Sequence, residues 1–248
     1  MSINRKIRVG AVSYLNTKPL IYGFEQGMMK DQVELVTRFP ARLADLLLSD
    51  EIDVGLVPVA VIPSLKEAHI ITDHCIGSDG PVASVCIFSE VPLSEIETVL
   101  MDYQSRSSVR LGKILLRNYW KVSPEIKDGG KDFRERIGGA TAGLVIGDRA
   151  LEERQNAVFI YDLGEAWKDF TGLPFVFAAW VANKQLPEDF INDFRKATAY
   201  GFEHLDRIVA ANPYALYDLK KYYTENISFA LTPEKREGMK KFLQLIAS

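Results

Sequence analysis

The stretch IRVGAVSYLNTKPL, residues 7–20, joins an apolar β-branched run to a polar segment and then to a proline. The run IRVGAV is typical of a buried strand. Pro19 suits the first turn of a helix, where its missing N–H is no loss. The polar residues between them therefore lie at the carboxyl end of a strand and the start of a helix, which is where small ligands bind in α/β sheets. The stretch predicts a βα unit with a ligand-binding segment.

The same alternation of strand-like and helical segments continues along the chain. Short β-branched runs alternate with helical stretches through residues 33–88, and a second set of the same kind follows through residues 97–155. This rhythm predicts mainly parallel sheets covered by helices. After FVFAAWVAN, residues 175–183, the pattern is helical only, and a tail of helices cannot form a lobe alone. We expect the tail to pack on the first lobe.

The predicted fold class is α/β, with two lobes, two chain crossings and a central cleft. The crossings are expected near residues 88–92 and 175–183. Lobe one then contains residues 1–88 plus 182–248, and lobe two contains residues 89–181. Two crossings form a hinge, and a hinge allows a cleft to close on a ligand.

Composition excludes several classes of protein. The 248 residues are 47% hydrophobic and carry a net charge of −3, so we expect a globular chain with no basic excess for nucleic acid or an anionic membrane. Cys75 and Cys86 form no C-x-x-C pair, which indicates neither a disulfide framework nor a zinc site. The apolar stretch near the start is too short for a signal peptide, and no run is long enough for a membrane span. We predict a cytoplasmic protein, and nothing in the sequence indicates an obligate protein partner.

Four polar segments fall at predicted strand ends or inside an apolar strand. Their residues of interest are Ser13, Tyr14 and Asn16, then Ser84, then Ser105, Arg106, Ser107 and Ser108, and finally Gly147 and Asp148. The third segment brings hydroxyls, free amides and a guanidinium to the mouth of a helix, which suits a carboxylate or phosphate. Taken singly, Ser107 and Asp148 could be helix caps, and Ser84 could simply bond a neighbouring strand.

Common catalytic motifs are missing from the sequence. It contains no G-x-S-x-G elbow, no G-x-G-x-x-G loop, no P-loop and no H-E-x-x-H pair. The histidines His69, His74 and His204 show no metal-like spacing, and none falls in the predicted second lobe. Acid or base chemistry must then use Asp148, a hydroxyl, water or the substrate itself.

At these segments the sequence resembles the menaquinone-biosynthesis enzymes of the futalosine route, and among them the chorismate dehydratases. The matching stretches are VSYLNTKPL (12–20), DVGLVPVA (53–60), GPVASV (80–85), SRSSVRL (105–111), LVIGDRAL (144–151) and TGLPFVFAAW (171–180). The resemblance implies the fold of type II periplasmic binding proteins. It also implies removal of water from chorismate, a small dicarboxylate, with neither a metal nor an organic cofactor.

The resemblance suggests a role for each segment. Asn16 and Ser84 are the expected catalytic residues, orienting the enolpyruvyl side and the departing hydroxyl. The SRSS segment, residues 105–108, is expected to hold a carboxylate, and Arg106 in it could bridge the lobes instead. The base is either the enolpyruvyl carboxylate of the substrate or Asp148.

Two other classes of protein share the expected fold. One is the solute-binding protein of a transporter, which would be exported and would carry a signal peptide or a lipoprotein cysteine. The other is the ligand-sensing lobe pair of a regulator, which would normally carry a DNA-binding helix-turn-helix. Neither signal is found in the sequence, so the dehydratase is preferred to both.

Overall fold

Two β-sheets form the centres of two lobes in the computed structural model, which describes residues 5–247. The strands are β1 (Ile7–Val12), β2 (Val33–Arg38), β3 (Val54–Pro58), β4 (His69–Ser78), β5 (Val85–Ser89), β6 (Thr98–Met101), β7 (Glu125–Asp128), β8 (Thr141–Ile146), β9 (Phe159–Asp162), β10 (Phe175–Ala182) and β11 (Ser228–Ala230). The α-helices are α1 (Lys18–Glu25), α2 (Pro40–Leu48), α3 (Ser107–Ile114), α4 (Asp148–Glu153), α5 (Leu163–Thr171), α6 (Glu188–Tyr200), α7 (Leu205–Ala211), α8 (Leu219–Lys221) and α9 (Pro233–Ala247).

The first sheet has the strand order β11-β4-β10-β3-β1-β2. β1 pairs in parallel with β2 and β3, as the βα rhythm predicts. β10 runs antiparallel between β3 and β4, and every residue in it is buried. The sheet is therefore mixed rather than mainly parallel, because the chain re-enters it from the second lobe in the opposite direction.

The second sheet has the order β7-β6-β8-β5-β9. β6 pairs in parallel with β7 and β8, whereas β5 runs antiparallel to β8 and β9. The edge strand β7 has the sequence EIKD and is exposed along its length. Its residues give no period-two burial signal, so sequence patterning did not predict it.

The two crossings lie earlier in the chain than expected. β5 belongs to the second sheet and β10 to the first, so the chain crosses at residues 79–84 and again at residues 172–174. The predicted boundaries after residue 88 and after residue 181 each fall one strand too late. Both strands are buried throughout and almost wholly apolar, and such a run contains no information on which of two sheets it will join.

The C-terminal tail packs on the first lobe, as predicted. α6 lies against α1 and β4, and the short strand β11, which the helical pattern did not predict, pairs with β4. The tail also contacts the second lobe, since the Tyr214 hydroxyl donates to the Asp148 carbonyl at 3.2 Å and the Gln155 amide donates to the Leu216 carbonyl at 2.8 Å. Residues 213–226 therefore add hydrogen bonds between the lobes to the two chain crossings. Among the helices of residues 5–247, none has both the length and the apolar character needed to span a membrane.

Candidate functional site

A cavity lies between the two sheets, where the polar segments predicted from the sequence converge. It is lined by Val12, Tyr14, Asn16, Pro40, Pro58, Ile76, Val82, Ser84, Val85, Ser105, Ser108, Ile146, Gly147, Phe177 and Ala178. The volume is about 40 Å³, which is room for about three water molecules. Admission of a larger ligand therefore requires the lobes to separate.

The segment after β1 contributes two side chains to the cavity. Tyr14 and Asn16 are both buried and line it, whereas Ser13 is exposed and lies outside it. The Tyr14 hydroxyl donates to the Gln104 side chain of the second lobe. Burial raises the pKa of Tyr14 above its usual range, which keeps this hydroxyl a donor.

The segment before β5 presents Ser84, which is fully buried, to the cavity. Ala83 adopts a positive φ of 63°, which is strained for a residue with a side chain. The Asp162 carboxylate accepts hydrogen bonds from the Val82 and Ala83 amides at 3.1 and 2.7 Å. This carboxylate also caps α5, so one buried group holds the turn that aims Ser84.

Of the four residues 105–108 at the start of α3, two line the cavity and two contact lobe one. Ser105 and Ser108 line the cavity, and the Ser105 hydroxyl accepts from the Ser108 amide in the first turn of α3 at 3.1 Å. Ser107 instead accepts from the Ala60 amide of lobe one at 3.1 Å. The Arg106 guanidinium pairs with Asp45 on α2, also in lobe one. Arg106 thus bridges the lobes, and its predicted contact with a carboxylate stays a prediction.

Gly147 and Asp148 fit closely against the segment after β1. Gly147 has φ of 67°, and a Cβ placed on it would lie 2.7 Å from the Tyr14 ring. Both carboxylate oxygens of Asp148 accept from the Leu15 amide, at 3.0 and 3.2 Å. Burial raises the pKa of Asp148 to about 6, and the Leu15 hydrogen bond opposes that rise. Asp148 is thus a contact between lobes beside the cavity, and it is absent from the lining.

An ion pair that the sequence analysis missed supports two of these segments. The buried Asp102 carboxylate accepts from the Ile146 amide at 3.0 Å and the Gln104 amide at 2.9 Å, and it pairs with the Arg149 guanidinium at 2.8 Å. Arg149 also stacks over the Tyr103 ring, 5.5 Å from its centroid. The only signal in the sequence was position, because Asp102 ends the strand ETVLMD and Arg149 follows Gly147-Asp148.

The cavity surface is mainly apolar and uncharged, with a few hydrogen-bonding side chains. Its hydrogen-bonding side chains are the hydroxyls of Tyr14, Ser84, Ser105 and Ser108 and the amide of Asn16, and no charged residue of the described chain is part of the lining. An anion here would be met by hydroxyl and N–H dipoles, including the free amides at the start of α3. Within residues 5–247, no group of three or more His, Cys, Asp or Glu could hold a metal ion.

Comparison with known proteins identifies the family. Residues 7–248 match the model of the menaquinone biosynthesis family. The chain belongs to this family. A curated chorismate dehydratase from Thermus thermophilus is 26% identical over 263 residues, covering 96% of this chain and 94% of that protein. The family predicted from the sequence motifs is confirmed.

Solved structures confirm the fold. A structural-genomics protein from Archaeoglobus fulgidus superposes with a TM-score of 0.76 at 14% identity, covering 99% of this chain and 98% of the other. A Candida albicans protein with the generic periplasmic binding protein fold gives 0.64 at 17% identity, with 98% and 90% covered. The sulphonate-binding protein SsuA of Escherichia coli gives 0.60 at 14% identity, with 98% and 87% covered. The two-lobed periplasmic-binding-protein-like fold is therefore as predicted.

Proposed function

We propose that this protein is a cytoplasmic hydro-lyase that converts chorismate to 3-[(1-carboxyvinyl)oxy]benzoate and water in the futalosine route to menaquinone. The observation that carries the proposal is the cavity between the lobes. It collects Asn16 and Ser84, which the sequence nominates as catalytic, in a chain of the menaquinone biosynthesis family. The similarity to a named chorismate dehydratase supports the choice of substrate.

The proposed reaction is an elimination that needs little from the protein. The C3–H bond breaks and its proton passes to a base, while its electron pair forms the new ring double bond. The C4–O bond breaks, and the departing hydroxyl takes up a proton to leave as water. Because the ring becomes aromatic, the product is strongly favoured. Positioning and stabilisation of the leaving group then carry the catalysis.

In this proposal, Ser84 and Asn16 act on the departing hydroxyl and the enolpyruvyl side. Both are buried at the cavity wall on opposite lobes, with Ser84 at the entry to β5 and Asn16 just before α1. Ser105 and Ser108 stand at the N-terminus of α3, where free amides and the helix dipole favour a carboxylate. We assign this helix end to one carboxylate of the substrate.

The arrangement favours the enolpyruvyl carboxylate of the substrate as the base. Asp148, the alternative, directs both oxygens to the Leu15 amide and lies outside the cavity lining. A catalytic base must reach the proton that it removes, directly or through one water. Asp148 would have to give up its contact between lobes to do so.

Incubation of the purified protein with chorismate tests the function. Loss of chorismate and appearance of the enolpyruvyloxy-benzoate are followed by mass spectrometry. Removal of one donor to developing charge typically costs about 100-fold or more in kcat, so we expect that loss in Ser84→Ala. Ser89→Ala is the matched control, because Ser89 is a buried serine at the far end of β5, the strand that follows Ser84, and accepts from the Val91 amide. It should retain wild-type turnover.

A solute-binding function is the second candidate, favoured by the similarity in fold to SsuA and its relatives. In that case chorismate would raise the melting temperature of the protein without being consumed. Binding without turnover would refute the dehydratase. Absence of both binding and turnover would exclude chorismate as the ligand in either function.

A further inference from the structure

Tyr222 contacts the proposed catalytic serine from the C-terminal tail. It opens a π-helical turn at Tyr222–Asn226 and is fully buried. Its hydroxyl donates to the Ser84 hydroxyl at 2.6 Å. Burial raises the pKa of this phenol, and the Asn16 side chain has a smaller, opposite effect. One tail residue therefore contacts a candidate catalytic group far away in the chain.

The direction of this hydrogen bond follows from the acidity of the two hydroxyls. A phenol is the stronger acid, and burial raises the pKa of Tyr222 further above its usual range, so it keeps its proton and donates. Ser84 accepts with one lone pair and still has its own proton. Among the contacts of residues 5–247, the Ser84 hydroxyl has no other hydrogen-bond partner, and it faces the cavity.

We propose that Tyr222 is a positioning residue that fixes the Ser84 hydroxyl and directs its proton into the cavity toward the departing oxygen of the substrate. A hydroxyl that accepts a hydrogen bond becomes a better donor, because chains of hydrogen bonds polarise one another. The tyrosine thereby strengthens the contact that forms as the C4–O bond breaks. This inference rests on the proposed dehydratase function and adds a residue to its machinery.

The neighbouring Tyr217 provides a control for this role. Tyr217 lies on the same tail, and its ring makes a T-shaped contact with the ring of Tyr222, with centroids 6.0 Å apart. Its hydroxyl donates to the Asn226 side chain at 3.0 Å and has no contact with Ser84. Tyr217→Phe therefore removes a hydroxyl from the same aromatic cluster without touching the proposed catalytic group.

The test measures kcat and KM for chorismate in Tyr222→Phe, Tyr217→Phe, Ser84→Ala and the double variant of Tyr222 and Ser84. Loss of one hydrogen bond worth little more than 1 kcal/mol corresponds to about tenfold in rate. We expect Tyr222→Phe to lose about tenfold in kcat with KM within about twofold of wild type. Tyr217→Phe should match wild type. In the Ser84→Ala background, removal of the Tyr222 hydroxyl should have no further effect on the residual rate.

Two results would overturn the inference. One is a kcat for Tyr222→Phe within twofold of wild type. The other is a loss of the same factor with and without Ser84, accompanied by a fall in melting temperature, which would mark Tyr222 as structural only. If Ser84→Ala has no measurable rate, equal losses in Tyr222→Phe and Tyr217→Phe would likewise mark Tyr222 as structural only. Failure of the wild type to consume chorismate would refute the proposed function itself, whereas wild-type turnover with an unaffected Tyr222→Phe refutes this inference alone.

Discussion

Replacement of Asp148 by asparagine should change how the stability of the protein depends on pH. The carboxylate of Asp148 is partly buried between the lobes and accepts from the Leu15 amide. Its pKa is raised from 3.8 to about 6, chiefly by burial. Asparagine keeps one oxygen for the Leu15 amide and removes the titration. The substitution therefore isolates the contribution of the charge.

The expected magnitude follows from proton linkage. Because folding raises this pKa, the folded chain binds more protons than the unfolded chain between pH 3.8 and about 6. The contribution of Asp148 to the free energy of unfolding is complete below pH 3.8, falls as pH rises through this window, and levels off above about pH 6. One pKa unit corresponds to about 1.4 kcal/mol. From about pH 4.5 to about pH 6.5, wild type should lose about 2 kcal/mol that Asp148→Asn does not lose.

Urea unfolding of both proteins across this pH range measures the effect. The difference in free energy of unfolding between variant and wild type at each pH cancels the titration of all other carboxylates. Asp148→Ala is the matched comparison. We expect it to have the same pH dependence as Asp148→Asn, but a free energy of unfolding about 1 kcal/mol lower at every pH, because the Leu15 amide loses its acceptor. A difference that stays constant with pH would refute the raised pKa, and an opposite slope would mean that the Leu15 hydrogen bond outweighs burial. In the same samples, Asp148→Asn should retain most of kcat, and a loss of about 100-fold without loss of stability would identify Asp148 as the base.

Two further pairs of substitutions test the cavity wall and the contact between the lobes. Gly147→Ala should lower the free energy of unfolding by about 1–3 kcal/mol because of its positive φ. It should also raise KM, because its Cβ would lie 2.7 Å from the Tyr14 ring. Gly130→Ala, at φ of 74° with nothing within 4 Å of its Cβ, should lower stability without changing KM. Urea unfolding and initial rates separate the two effects, and an unchanged KM in Gly147→Ala would contradict the packing argument. Arg106→Ala and Asp45→Ala should have similar effects. Each should lower the free energy of unfolding by less than about 1 kcal/mol, since both side chains are substantially exposed. A tenfold rise in KM for Arg106→Ala alone would instead show that Arg106 holds a substrate carboxylate.

The parts of the fold that could be predicted are those with local causes. The apolar run of β1 followed by Pro19 predicts a strand and a helix start, and the structure has both. The crossings could not be placed correctly, because β5 and β10 are both apolar and their sheet depends on distant partners. β7 is short and exposed, and it exists only because β6 offers it a hydrogen-bonding edge.

The same distinction applies to the site. Tyr14, Asn16, Ser84, Ser105, Ser108 and Gly147 lie at the ends of elements that the pattern predicts, and they line the cavity. Tyr222 lies 138 residues from Ser84 in the chain, in a tail that the sequence showed only as helical. No local pattern relates the two residues. Asp102 and Arg149 were missed for a similar reason, since their importance comes from the amides that the buried carboxylate gathers.

Of the four predicted binding residues that lie outside the cavity, all but the exposed Ser13 lie between the lobes. Arg106 contacts Asp45, Ser107 contacts the Ala60 amide, and Asp148 contacts the Leu15 amide, and each of these contacts joins one lobe to the other. A cavity of about 40 Å³ cannot admit a dicarboxylate without opening. Opening would break this exposed ion pair and these hydrogen bonds, worth about 1 kcal/mol each, together with the Tyr14–Gln104 hydrogen bond between the same lobes. We therefore expect these residues to affect access to the cavity, and the uncharged hydroxyls and the Asn16 amide inside it to contact the ligand.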